Sequence, residues 1–141
     1  MLQLWLEKYA EIANIMGYDI ARDRKATEML ASILRSHHID PPLSNLRELL
    51  FEKPSIIFGA GPSLDEKTDD LLRIFPKISE RFTLVTADGA TQALIERGEI
   101  PQIVVTDLDG DVGSLLYSAG KGSLLVVHAH GDNMEKIATY I

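Results

Sequence analysis

The sequence predicts an α/β protein, a three-layer α/β/α arrangement around a mainly parallel, Rossmann-like sheet that follows a small helical region. From Ser55 onward, four short and continuous apolar runs alternate with polar loops and helical segments: SIIF, FTLVT, QIVVT and SLLVV. Uninterrupted apolar runs are typical of strands that are buried on both faces of a parallel sheet. Four successive strand–helix units also require crossover connections, which are almost always right-handed.

Residues 1–52 are predicted to form a helical region, and residues 53–141 an α/β domain. Before residue 52 the apolar residues recur every three or four positions, as on one face of a helix: Leu2, Trp5, Leu6, Tyr9, Ile12 and Met16, then Ala26, Met29, Leu30, Ile33 and Leu34. We expect Gly17 to end the first helix, Asp23 to precede the second, and Ser44 to cap a short third.

The amino-acid composition argues against several classes of partner and site. The 141 residues carry a formal net charge of -7 and include no cysteine. This charge argues against nucleic-acid or anionic-membrane partners, and the missing thiols exclude disulfides and thiolate metal sites. The N-terminus does not resemble a signal peptide, and no apolar run is long enough to cross a bilayer. We therefore expect a soluble, cytoplasmic protein, whose α/β domain is either complete or truncated at its C-terminus.

The first strand is followed by a glycine-rich turn that indicates contact with a phosphate or nucleotide. Its residues are Gly59, Ala60, Gly61, Pro62 and Ser63. Glycines let backbone N–H groups approach a ligand closely, and the start of a helix adds a positive dipole end. Ser63 and Glu66 have the spacing of a capping box. Leu64 occupies the third glycine position of a dinucleotide fingerprint, which disfavours a nicotinamide cofactor.

Aspartates follow the next two strands and indicate a magnesium site. Asp88 and Gly89 come after the second strand, and Asp107, Asp109 and Asp111 after the third. Alternation would place Asp107 and Asp109 on one side if the strand continued that far. Carboxylates this close together repel one another unless a cation lies between them. Mg²⁺ is usually held by one or two carboxylates together with phosphate oxygens and water.

The fourth strand ends at a loop that contains His128, His130, Asp132 and Asn133. A zinc site is disfavoured, because the other histidines lie in a remote loop. Two alternatives remain for His130, Asp132 and Asn133: polar contacts to a ligand, or a helix cap in which an Asp or Asn side chain takes part.

Four motifs, in this order, carry a resemblance to a known family. The series FGAGPSLD, TADGAT, VVTDLDGD and HAHGDN resembles the archaeal 6-hydroxymethyl-7,8-dihydropterin pyrophosphokinase family, and the N-terminal helical run is similar as well. The chain is also distantly similar to thiamine pyrophosphokinase. Asp88-Gly89-Ala90 resembles that enzyme's Asp-Gly-Gly, with alanine in place of a glycine, and Asp107-Leu108-Asp109 resembles its Asp-x-Asp.

The resemblance implies transfer of diphosphate from ATP to the pterin hydroxymethyl oxygen, releasing AMP, in tetrahydromethanopterin or folate biosynthesis. It implies Mg²⁺ as cofactor, with metal ligands Asp88, Asp107 and Asp109. The residues that are expected to take part in catalysis are Asp107, Asp109 and Asp132. The residues expected to contact nucleotide or substrate are Gly59, Ala60, Gly61, Pro62, Ser63, Asp88, Gly89, His130 and Asn133.

Several alternatives stay open. The acceptor could be thiamine or another hydroxyalkyl heterocycle, or the chain could bind nucleotide without transferring a group. A phosphatase of the haloacid-dehalogenase type also uses Asp-x-Asp-Gly, but normally on its first strand, whereas Asp107 follows the third. An exposed sheet edge makes a homodimer plausible.

Overall fold

The computed structural model describes residues 2–141, except for the side chains of Leu2 and Glu52. Its helices, in chain order, are α1 (Leu2–Met16), α2 (Ile20–Ser36), α3 (Leu43–Glu52), α4 (Leu64–Ile74), α5 (Ala90–Ile95), α6 (Val112–Gly120) and α7 (Met134–Tyr140), with a 3₁₀ turn at Ile78–Glu80. Its strands are β1 (Ser55–Phe58), β2 (Thr83–Ala87), β3 (Ile103–Thr106) and β4 (Leu124–Val127).

The four strands form one parallel sheet in the order β1-β2-β3-β4. Ile57 pairs with Val85, Ala87 with Val105, and Val105 with Val126. The predicted α/β fold, with helices around a parallel sheet, is confirmed. Because all strands run the same way, their carboxyl ends share one edge of the sheet, where ligands of open α/β folds bind.

One face of the sheet carries the core. Phe58, Leu84 and Val104 point to this face and are buried. Phe58 and Leu84 cluster with Ile78 and with apolar side chains of α5. Helix α5 contacts β2, α4 and α6. Packing against this row of helices therefore fixes the carboxyl ends of the central strands.

The other face of the sheet is partly exposed. Ile57, Ala87, Val105 and Val126 share this face by the strand register and are all exposed, Ile57 to 75%. We call these four residues the open face. Parallel sheets usually have both faces covered, so a water-exposed apolar row is unusual for this class.

The chain divides into two compact units, which are described separately. One consists of the residues up to Ile39 together with Ala129–Ile141, and the other is Asp40–His128. Within the first unit, α2 contacts α7. The boundary proposed between residues 52 and 53 stays a prediction. None of the helices within residues 2–141 combines the length and the apolar character that crossing a bilayer requires.

Two predicted helix starts are wrong, and one predicted helix end is confirmed. Helix α2 begins at Ile20, because Asp19 caps it by accepting from the N–H groups of Ala21 and Arg22; Asp23 lies inside the first turn. Helix α3 begins after Pro42, and Ser44 lies within it. Helix α1 ends before Gly17, whose φ of 71° is a conformation that favours glycine.

Candidate active site

The turn after β1 is exposed and lacks a side-chain cap. The Gly61 N–H donates to the Gly59 carbonyl at 2.8 Å, and the Leu64 N–H donates to the Gly61 carbonyl at 3.0 Å. Ser63 occupies the N-cap position of α4, yet its side chain makes no capping hydrogen bond. The predicted capping box between Ser63 and Glu66 is therefore wrong, since its first half is not formed.

The two glycines of this turn are not required by the fold itself. A Cβ at Gly59 or Gly61 would meet no atom within 4 Å, and neither residue has a positive φ. The free space around them suits the close approach of a ligand to the backbone. A cleft of about 200 Å³ lies beside the turn, and Phe58, Gly59, Ser63 and Lys67 are among its lining residues. Ala60 and Pro62 are exposed in the same turn.

Asp88 connects the loops after β2 and β3. Its backbone N–H donates to the Val105 carbonyl at 2.9 Å. Its carboxylate accepts from two backbone N–H groups of the β3 loop, from Asp109 at 3.2 Å and from Gly110 at 3.1 Å. Asp88 has a φ of 35°, a left-handed conformation that is uncommon outside glycine. Its carboxylate therefore holds the β3 loop against the end of β2, beside Gly89.

The carboxyl group of Asp107 lies close enough to that of Asp88 to raise its pKa. Burial, and then the neighbouring Asp107 carboxyl, raise the pKa of Asp88, while hydrogen bonds from the Gly110 N–H and the Thr106 hydroxyl act in the opposite direction. A raised pKa means that the folded protein disfavours the ionised form of Asp88, first because the carboxyl is partly buried and then because Asp107 lies beside it. The predicted convergence of these two aspartates from adjacent strand ends is therefore present.

The β3 loop does not continue the strand. Strand β3 ends at Thr106, and the buried Leu108 has a φ of 66°. The condition under which alternation would place Asp107 and Asp109 on one side, a strand that continues to Asp109, is therefore not met. Instead, the loop folds back, so that the Asp109 N–H donates to Asp107 Oδ1 at 3.2 Å and the Leu108 N–H to Thr106 Oγ1 at 2.8 Å.

The paired carboxylates fit a magnesium ion. Within the part of the chain that the structure describes, no three or more His, Cys, Asp or Glu side chains are arranged to hold a metal ion. Two carboxylates are nevertheless the usual protein contribution to a Mg²⁺ site that is completed by phosphate oxygens and water. A divalent cation beside Asp88 and Asp107 would also offset the burial and the neighbouring carboxyl that together raise the pKa of Asp88.

Asp111 has a structural role. It is the N-cap of α6, and its Oδ2 accepts from the Ser114 N–H at 2.8 Å and from the Ser114 hydroxyl at 2.7 Å. These hydrogen bonds lower the pKa of Asp111. The third aspartate of the series therefore stabilises the start of the helix that follows the loop.

The loop after β4 belongs to the first compact unit from Ala129 onward. The Asn133 side-chain oxygen accepts from the His130 N–H at 3.0 Å, and the Asn133 N–H donates to the His130 carbonyl at 3.2 Å. Asn133 is the N-cap residue of α7, without a side-chain capping hydrogen bond. Asp132 is exposed at the tip of this turn.

Sequence reasoning missed two residues of this site. Gly110 lies against the Asp88 carboxylate, and Thr106 hydrogen-bonds both that carboxylate and the Leu108 N–H. Asp-Gly pairs such as those at 88–89 and 109–110 are typical of turns. Nothing in the sequence indicated that the two turns bond to each other.

Comparison with known proteins adds a family. Residues 24–141 match the family model described as 6-hydroxymethylpterin diphosphokinase MptE-like. Three archaeal proteins named 6-hydroxymethyl-7,8-dihydropterin pyrophosphokinase are similar over nearly the whole chain. The protein from Methanocaldococcus jannaschii is 38% identical over 97% of this chain and 56% of its own length. The protein from Methanothermobacter thermautotrophicus is 36% identical over 99% of this chain and 57% of its own length.

The third relative, from Pyrococcus furiosus, is 42% identical over 94% of this chain and 54% of its own length. The chain thus spans about half the length of the curated relatives it matches. The motif series resembled this same family, and the match to the family model extends over all four strands. The chain belongs to the MptE-like family of 6-hydroxymethylpterin diphosphokinases.

Proposed function

We propose that this chain transfers diphosphate from ATP to the hydroxymethyl oxygen of 6-hydroxymethyl-7,8-dihydropterin and releases AMP, with Mg²⁺ as cofactor. One observation carries the proposal: Asp88 and Asp107 meet at adjacent strand ends, in a chain that belongs to a diphosphokinase family. The three longer relatives are named 6-hydroxymethyl-7,8-dihydropterin pyrophosphokinase, which supports a pterin as the acceptor.

The transfer makes one bond and breaks one bond. The hydroxymethyl oxygen attacks the β-phosphorus of ATP, and the bond from that phosphorus to the oxygen shared with the α-phosphorus breaks. AMP leaves with this oxygen, and the hydroxyl proton passes to solvent. Charge develops along the phosphates, and Mg²⁺, when bound, supplies its neutralisation.

The residues of the second unit fit this task. Asp88 and Asp107 would hold the cation directly, and Asp109 directly or through water. Because Asp88 is fixed by the N–H groups of Asp109 and Gly110, its carboxylate is oriented before any ligand arrives. The turn that contains Gly59 and Gly61 would receive phosphate or nucleotide on its backbone N–H groups. His130, Asp132 and Asn133 belong to the first unit, and we propose them separately, from the family resemblance, as contacts of the second substrate.

The test is incubation with ATP, Mg²⁺ and a panel of acceptors: the hydroxymethyldihydropterin, thiamine and a generic phosphoester. Chromatography then separates AMP from ADP. We expect AMP with the pterin and none without Mg²⁺. AMP with thiamine alone would favour the thiamine-type reaction, and release of phosphate from the phosphoester would favour the phosphatase. Binding of ATP with no AMP formation would favour a nucleotide-binding module.

A further inference from the structure

We infer that Asp23 is a positioning residue, which fixes the turn His130–Asn133 through its bond to Gly131. The inference rests on the proposed function, since it concerns the turn that would contact the second substrate. Asp23 Oδ1 accepts from the Gly131 N–H at 2.8 Å, although 108 residues separate the two in sequence. Asp23 Oδ2 accepts from the Tyr9 hydroxyl at 3.2 Å. One half-buried carboxylate therefore links α1, α2 and this turn, all within the first compact unit.

Helix α2 does not need Asp23 for its own start. Asp19 performs the capping, because its Oδ1 accepts from Ala21 N–H at 2.9 Å and from Arg22 N–H at 3.3 Å. An acidic residue in the first turn of a helix gains only a modest dipole interaction when it is exposed. The Asp23 side chain instead turns away from the helix end and binds two partners that are distant in sequence.

The turn has a fixed inner side. Gly131 is buried, and a Cβ at this position would lie 2.7 Å from Arg22 Cβ and 3.4 Å from Asp23 Oδ1. Only a glycine lets the backbone come this close to α2. Asn133, which is fully buried, closes the turn from the other end by accepting from the His130 N–H.

The outer side of the turn exposes Asp132, whereas Nε2 of His130 is buried and its Nδ1 accepts from the Asp132 N–H at 3.4 Å. Asp132 is exposed, and its 3.8 Å ion pair with Arg22 is a weak surface interaction. His130 is half-buried next to it. Because Gly131 lies between His130 and Asp132, its bond to Asp23 fixes the backbone from which both side chains project. Loss of that bond would free the turn without removing either polar group.

Two substitutions of Asp23 distinguish a positioning role of this residue from a purely structural role. In Asp23→Ala both acceptor oxygens are lost. In Asp23→Asn the side-chain oxygen still accepts from Gly131 N–H, and the new NH₂ group donates to the Tyr9 oxygen. Asp19→Ala is the matched control, because it removes an acid of the same helix and weakens the cap without touching the turn.

Three readouts are needed: hydrogen exchange of the Gly131 amide, the melting temperature, and the kcat and KM for the hydroxymethyldihydropterin. For Asp23→Ala we expect faster Gly131 exchange and a kcat/KM lowered by roughly 10–100-fold, as after loss of a supporting residue. We expect Asp23→Asn to restore kcat/KM to within a few fold of wild type. Asp19→Ala should lower the melting temperature and leave kcat/KM unchanged.

The inference is overturned if Asp23→Ala leaves Gly131 exchange or kcat/KM at the wild-type value, or if Asp19→Ala lowers kcat/KM as much. Should the wild-type protein form no AMP, the proposed function fails on its own. The Asp23 variants are then compared by equilibrium binding of the same pterin. Weaker binding by Asp23→Ala than by Asp19→Ala supports the inference, and equal binding by the two variants contradicts it.

Discussion

Gly110 lies directly against the carboxylate of Asp88. Its N–H donates to Asp88 Oδ1 at 3.1 Å, and a Cβ at this position would overlap that oxygen and lie 2.9 Å from Asp88 Cγ. The glycine of the DLDG loop is therefore needed for the close approach of two loops. Its φ is not positive, so the conformational freedom of glycine is not the reason.

Gly110→Ala should accordingly displace the Asp88 carboxylate. We expect a loss of about 1–3 kcal/mol in the free energy of unfolding, as for other overpacked sites, together with weaker Mg²⁺-dependent activity. Urea denaturation and AMP release measure the two effects. Gly113→Ala is the matched control: its Cβ would be 3.4 Å from Asp111 Oδ2, and it should be neutral or gain up to about 1 kcal/mol from helix propensity.

Asp107→Asn should impair transfer while leaving the fold intact. The amide oxygen can still accept from the Asp109 N–H, so the loop keeps its conformation, but the pair loses one negative charge. We expect AMP formation to fall at least as much as the roughly 10–100-fold seen when a residue that supports a metal ligand is removed. Without metal, the melting temperature should stay equal or rise, because repulsion of Asp88 is relieved. Undiminished AMP release would exclude Asp107 as a ligand.

The raised pKa of Asp88 predicts a pH dependence of stability in the metal-free protein. The folded state binds the Asp88 proton more tightly than the unfolded state does. The contribution of Asp88 to the free energy of unfolding is therefore fully present below the ordinary carboxyl pKa of 3.8. It is lost as the pH rises through the raised pKa of the folded state. Asp69 behaves in the opposite way. The hydrogen bond from Arg97 lowers the pKa of Asp69, so the contribution of Asp69 to stability is lost as the pH falls.

This dependence is measured by urea denaturation in a chelator at a series of pH values, for wild type and Asp88→Asn. Contributions from Asp69 and other carboxyls remote from Asp88 are common to both proteins and cancel in the difference, whereas any change at the neighbouring Asp107 is part of the measured effect. We expect wild type to lose stability relative to Asp88→Asn as the pH rises above about 4, and Mg²⁺ to reverse part of that loss. Parallel curves for the two proteins would contradict the assignment.

Gly61→Val should weaken ATP binding without unfolding the protein. The structure leaves room for a side chain at this position, and the backbone conformation does not require glycine. A loss of affinity of about tenfold, or 1.4 kcal/mol, would thus report on a ligand close to the backbone. Gly120→Val provides a control, since that glycine is also uncrowded and exposed, at the end of α6. Unchanged ATP affinity in Gly61→Val would indicate a turn with no ligand.

The sequence predicted the parallel sheet well because each strand is indicated by residues that are adjacent in the chain. A short apolar run such as that before Asp107 has few alternatives to a buried strand, and each polar loop had to lie at the carboxyl edge. The meeting of Asp88 with Asp107 follows from that topology alone. Gly17 likewise marked the end of α1, because a left-handed residue is a local requirement.

The remaining features depend on contacts between residues that are distant in sequence. The reversal at Leu108 arises because Asp88, about twenty residues earlier, accepts from the Asp109 and Gly110 N–H groups. Asp23 was expected before α2, since an aspartate ahead of an apolar stripe resembles a cap. Its actual partner is Gly131, which no periodicity could indicate.

The open face has a thermodynamic consequence. Unfolding raises the heat capacity mainly by exposing apolar surface to water, and side chains such as Ile57, Val105 and Val126 already meet water in the folded chain. Calorimetry of the isolated chain should therefore give a heat-capacity increment below the usual value of about 12–15 cal/mol/K per residue. The curve of stability against temperature would be correspondingly flat, with modest stability over a broad range.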